Sequence, residues 1–143
     1  MGDLIQTGTV ETAASNAKFN IVTTDKVREK LIRGLTQTGR VPKITHIAFG
    51  TGGVDGAGNP IMPEADANAL QHEVFRIPVE TIEYPEPYKA DIIIEITGAD
   101  YNDVPLSEFG AVDEEGDFVG IQSFKTITKQ ENVLLRFHWQ CEF

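Results

Sequence analysis

Hydrophobic residues recur along this chain with two different periods. Between Thr23 and Leu35, the positions Val27, Leu31 and Leu35 stand four apart with Ile32 beside them, and Lys, Arg and Glu fill the opposite side. That spacing predicts one short amphipathic helix with a face to bury. Thr24 is its N-cap, Asp25 sits in the first turn, and Gly39 and Pro42 are stop signals. Lys43 to Gly50 then forms a strand-like run leading into a glycine-rich loop, Thr51 to Pro60, and a short helical turn fits Ala65 to Leu70. From Glu73 the period is two. Phe75, Ile77 and Val79 take alternate places, and Ile92, Ile94 and Ile96 alternate with Asp91, Ile93, Glu95 and Thr97. Pro78 lacks a ladder donor and suggests an edge or a bulge. Tyr84 to Tyr88, with two prolines, reads as a connection.

Two further segments complete the pattern. Ser107 to Val112 and Phe118 to Phe124 flank the turn Asp113 to Asp117, a β-hairpin signature. The last segment alternates most clearly, with Val133, Leu135, Phe137, Trp139, Cys141 and Phe143 on one face and Leu134, Arg136, His138, Gln140 and Glu142 on the other. Residues 1 to 20 show no sustained period, only Leu4, Ile5, Val10 and Phe19 among small and polar residues, and read as an extended N-terminal arm. Residues 21 to 143 read as a single domain. The expected architecture is α+β, with one N-terminal amphipathic helix packed on a mainly antiparallel β-sheet or sandwich, since no βαβ rhythm and no internal repeat is present.

Charge and composition narrow the function. A net charge of −10 argues against binding the phosphate backbone of nucleic acid, which needs clustered cations. No stretch approaches the length of a membrane span and no leader pattern opens the chain, so a soluble protein made in the cytoplasm is expected. The single cysteine, Cys141, lies in an alternating apolar segment and is expected to act as a small buried hydrophobe.

Candidate chemistry is sparse. The glycine-rich loop lacks the Lys-Ser/Thr ending of a phosphate cradle, and Asp55 and Asn59 are turn residues rather than part of a calcium loop. His46, His72 and His138 have no metal-ligand spacing. Asp113, Glu114, Glu115 and Asp117 crowd a hairpin tip and are expected to form a hydrated turn. None of Ser15, Ser107 and Ser123 sits in a nucleophile elbow. Neither catalysis nor a cofactor nor a metal is expected.

Three stretches carry a resemblance. Lys43 to Gly53 is similar to a strand ending in a "small, large apolar, Gly, x, Gly" turn. Ala69 to Val79 is similar to a "Leu, two residues, Glu, apolar, aromatic or basic, Arg" strand entry. Leu106 to Ile121 is similar to the pattern "Glu, Ile, Gly, Leu, Phe, Asp, x, x, Gly, x, Leu, Ile, Ala". In this order and spacing, across residues 22 to 143, the chain resembles the N-terminal, baseplate-attaching domain of phage tail fibre (tail-collar) proteins. The resemblance implies a non-enzymatic component of a contractile phage tail or tail-like particle, trimeric at the tail tip, with baseplate proteins and a tail fibre protein as partners. Because the sequence stops at Phe143, an adapter between baseplate and a separate fibre is expected. Leu4, Ile5 and Val10 of the arm, with Leu134, Trp139 and Phe143 of the last segment, are the candidate interface residues. The competing expectation is a carbohydrate-binding module using Tyr84, Tyr88 and Tyr101 as platforms.

Overall fold

In a computed structural model of the chain, which describes residues 4–11, 16–97, 100–131 and 134–143, two antiparallel sheets face each other. Ser15 and Val133, both named above, lie outside the described residues. The strands in chain order are β1 (Ile5–Glu11), β2 (Asn16–Asn20), β3 (Val22–Thr23), β4 (Ile44–Gly50), β5 (Glu73–Pro78), β6 (Thr81–Glu86), β7 (Lys89–Ile96), β8 (Pro105–Asp113), β9 (Phe118–Thr128) and β10 (Leu135–Glu142). One sheet runs β2-β1-β10-β7-β6 and the other β3-β9-β8-β4-β5. The helix α1 (Asp25–Arg33) follows β3 and continues into a π-helical turn, Gly34–Thr38.

This arrangement overturns the α+β expectation. The chain is a β-sandwich, and α1 caps one end instead of covering a sheet, because each sheet already buries its apolar face against the other. Thr24 is the N-cap as expected, its Oγ1 accepting from Val27 N at 3.3 Å. From α1 only Val27 enters the core fully, with Leu31 packed at its margin. Leu35 is 83 % exposed, so the apolar stripe is only partly used inside the chain.

The described residues of the stretch read as an arm, 4–11 and 16–20, are part of this sandwich. β1 pairs with β10 over seven positions, from Ile5↔Glu142 to Glu11↔Arg136, and with β2 on its other side. Gln6, Gly8 and Val10 face inward, and each is there for a reason. Gln6 is buried; its Oε1 accepts from Trp139 Nε1 at 3.0 Å and its Nε2 donates to the Val119 carbonyl at 3.1 Å, so one amide ties the two sheets. Gly8 leaves room for Phe109, whose ring tip would come within 2.5 Å of any Cβ at that position. Phe109 is the centre of the core, in ring contact with Phe19, Phe49, Phe124, Phe137 and Trp139.

Other expectations meet the structure as follows. β8 and β9 form the expected hairpin, with Gly116 at φ +88° in its turn. β5 is an edge strand, as Pro78 suggests. Tyr84 to Glu86 belong to β6, so the expected connection shrinks to a turn at Pro87 and Tyr88; Pro85 is tolerated because β6 is also an edge and carries a bulge between Glu83 and Glu86. Residues 65 to 70 form turns, not a helix. Leu70 instead packs with Ala48, Val112, Phe118 and Ile121 in a second, smaller core on the outer face of the β8 sheet.

What holds residues 51 to 72 over that face is a buried carboxylate. Glu108 is 1 % exposed and accepts from three backbone N–H groups, those of Gly52 (2.9 Å), Gln71 (2.8 Å) and His72 (2.8 Å). Its neighbour Ser107 accepts from Gly53 N at 2.9 Å. Close approach explains the glycines: a Cβ on Gly50 would fall 2.5 Å from Glu108 Oε2, and one on Gly53 would fall 2.1 Å from the Ser107 carbonyl oxygen. Replacing Glu108 by Gln puts an N–H₂ donor against N–H donors in a buried site. Glu108→Gln is therefore expected to lower stability by about 2 kcal/mol in urea denaturation and to speed hydrogen exchange at Gly52, Gln71 and His72 before the rest of the chain.

Candidate binding groove and the Lys30 clasp

The end of the sandwich capped by α1 carries an open apolar groove of about 1120 Å³. Leu4 and Leu31 are half-buried along it, while Ile32, Leu35, Tyr88 and Phe143 are all more than half exposed. Local structure builds its walls. After the π-helical turn the chain reverses at Gly39, φ +69°, and returns Arg40 and Val41 against α1. Gly34 allows that return, since a Cβ there would lie 2.7 Å from the Arg40 carbonyl oxygen and from Val41 Cγ2. Opposite, Phe143 N donates to the Tyr88 carbonyl at 3.1 Å, which holds the end of the chain beside the β6–β7 turn.

Of the six interface candidates, the structure brings Leu4 and Phe143 together in this groove. Ile5 follows Leu4 at the same end and is 49 % exposed. Val10 and Trp139 are each 1 % exposed and fill the chain's own core, so neither is available to a neighbour in this fold. Leu134 is exposed at the opposite end of β10. The sequence pattern places Ile32 and Leu35 on the buried face of the helix and Tyr88 among the carbohydrate platforms, and it does not single out Val41; all four line the groove. The signal was present in α1, whose apolar stripe is wider than one sandwich end can bury.

Next to the groove lies the acidic hairpin tip, which the sequence suggested would be a hydrated turn. Asp113 is instead buried, and its Oδ1 accepts from Glu115 N (2.9 Å) and Asp117 N (3.0 Å). Lys30 of α1 reaches in with its Nζ 2.6 Å from Asp113, 2.9 Å from Glu115 and 2.8 Å from Asp117. These three carboxylates are the one group among the described residues spaced to hold a metal ion, and the ammonium stands where a cation would sit. Burial lowers the Lys30 pKa, but the hydrogen bonds to all three carboxylates outweigh it and leave it raised. The Lys30 hydrogen bond, against a smaller effect of burial, holds Asp117 below the usual carboxylate range. Arg40 bonds Glu114 in the same turn, so hairpin and helix are clasped together.

The histidines stay apart: His46 contacts Thr45, His72 contacts Thr51, and His138 lies 3.0 Å from Asp91 and 3.3 Å from Glu11 on the outer face of β10. Asp55 accepts from Ala57 N and Asn59 N, which makes it a turn residue. Cys141 is half-buried, and burial pushes its thiol up to about 11, so it stays protonated. Tyr101 stacks on Phe75 at 3.7 Å, whereas Tyr84 and Tyr88 are 71 % and 75 % exposed.

Lys30→Met leaves three facing carboxylates without their cation and is expected to cost roughly 3 kcal/mol at pH 7. Because Asp117 has a depressed pKa in the folded state, the stability it contributes is present above the ordinary carboxylate value and is lost as pH falls through its own. The difference between Lys30→Met and the unaltered chain should therefore shrink below about pH 4 in chemical denaturation followed by fluorescence.

Comparison with curated proteins gives no match, and neither does comparison with solved structures. A sequence profile described as phage tail-collar fibre protein, N-terminal, matches residues 15–135. That span takes in the Glu108 lock, the Lys30 clasp and α1, and the chain belongs to the phage tail-collar fibre protein family, with a structural role in a phage tail.

Proposed function

We propose that this chain is an adapter in a contractile phage tail or tail-like particle, attaching tail fibres to the baseplate. It works as a homotrimer in contact with baseplate proteins and a tail fibre protein, and it is assembled into the virion tail in the cytoplasm of the host bacterium. The observation that carries this reading is the apolar end face. Leu35, Tyr88 and Phe143 are each more than 60 % exposed beside one groove, on a chain of a tail fibre family. A net charge of −10 disfavours nucleic acid as the partner.

A second reading, a carbohydrate-binding module on the host surface, is favoured by the exposure of Tyr84 and Tyr88, although the third platform candidate, Tyr101, is stacked on Phe75. The two readings separate in one preparation. Particles from cells lacking this chain are expected to show otherwise complete tails without fibres in negative-stain electron micrographs, and fibres still in place would overturn the adapter reading. The purified chain is expected not to bind host cells; binding that Tyr84→Ala abolishes would favour the carbohydrate reading instead.

A further inference from the structure

We propose that His138 is a proton-operated fastener for the β1–β2 hairpin. Doubly protonated, its ring ties Glu11 of β1 to Asp91 of β7 across β10; without the second proton that tie opens.

The ring has a carboxylate at each nitrogen. Nδ1 is 3.0 Å from Asp91 and Nε2 is 3.3 Å from Glu11. Water reaches these groups poorly, the side chains of His138 and Asp91 being 16 % and 12 % exposed. Asp91 has no other side-chain partner among the described residues, so Nδ1 carries a proton and donates to it. A neutral imidazole has one N–H only. Nε2 then turns its lone pair toward the Glu11 carboxylate, and this nitrogen is buried with no hydrogen-bond partner of its own. A second proton replaces that repulsion with attraction between imidazolium and carboxylate, within reach of a charge-assisted bond.

Carboxylates outnumber cations on this face. β1 contributes Glu11, and β7 contributes Asp91 and Glu95; an open cleft of about 590 Å³ beside the ring adds Glu83 of β6 and Glu80 just before it. Arg136 of β10 is committed to Glu95, at 2.9 and 3.1 Å, and stands 3.6 Å from Glu11. Lys18 of β2 lies two strands away, across Thr9, and Lys89 and Glu142 stand opposite each other farther along β7 and β10. Arg136 therefore does not substitute for the imidazolium at Glu11.

What the tie fastens is the hairpin at one edge of the sheet. β1 and β2 join the rest of that sheet only through β10. On the inner side Gln6, Val10 and the stacking of Phe19 on Phe124 hold them. On the outer side the described ties are Thr7 to Gln140 and Glu11 to His138 and Arg136. Glu11 is the last residue of β1 and pairs with Asn16 of β2, so loss of its tie loosens that end of the hairpin first. The sign is fixed by the ring: the tie is present where His138 is charged and is lost as pH rises.

The test is hydrogen exchange followed by NMR on the full chain from about pH 5.5 to 8.5, a window around the ordinary histidine value, with rates corrected for the intrinsic pH dependence of amide exchange. Amides of β1 and β2 should lose about tenfold in protection across the window, while those of β8 in the other sheet keep theirs. His138→Gln, uncharged at every pH, should flatten the β1–β2 profile. Glu11→Gln should flatten it too, since it keeps the ring and removes what the ring holds, and it carries the test if the first variant does not fold. His46 and His72 are left in place in both variants, so a profile that flattens is not theirs. A flat β1–β2 profile in the unaltered chain would overturn the proposal. So would a pH dependence that persists in Glu11→Gln, because the tie would then not run through Glu11.

Discussion

A carboxylate buried away from cations must be satisfied by N–H groups, and the organisation of this chain follows from how Glu108 meets that demand. The three donors come from two places far apart in sequence, Gly52 on one side and Gln71 with His72 on the other. Both ends of a long loop are therefore drawn to one point on β8. The cost of desolvating the charge is offset only when all three bonds form together, which makes the closure of the loop cooperative. The glycines at 50, 52 and 53 are a consequence of the same lock, because backbone and carboxylate approach too closely for a Cβ. Leu70 then has no choice but to cover Val112, Phe118 and Ile121, so the outer face of the second sheet is sealed by a loop where other sandwiches use solvent. The three stretches that carry the family resemblance are the parts of this single lock.

At the end of the sandwich a different balance holds. Lys30 neutralises a crowded hairpin tip, and that clasp fixes α1 at an angle that leaves Ile32 and Leu35 outside the core. A helix anchored by charge on one side and by Val27 on another cannot roll to bury the rest of its stripe. The exposed apolar surface at this end is thus a product of how the helix is held.

Local pattern made much of the fold legible. The N-cap at Thr24, the β8–β9 hairpin, the edge strand at Pro78 and the inward faces of β7 and β10 all follow from short-range periodicity or turn chemistry, which residues a few positions apart determine by themselves. The family was legible for the same reason, since its motifs are turns and strand ends with fixed spacing. Of the groove, the sequence offered Leu4 and Phe143 but set Val10 and Trp139 beside them, because periodicity shows that a residue is apolar and says nothing of what covers it.

The tertiary structure alone decided that β1 is an inner strand. Its inward positions are Gln6, Gly8 and Val10, a face that shows no apolar alternation, because the glutamine serves Trp139 and the glycine makes room for Phe109. It also decided that the helix is a cap and not a layer, that Asp113 is buried while its neighbours are wet, and that Glu108 is the centre of a lock. In each case the partner lies tens of residues away in sequence, and a residue chosen to complement a distant group takes its identity from that group's shape and charge, not from the period of its own strand.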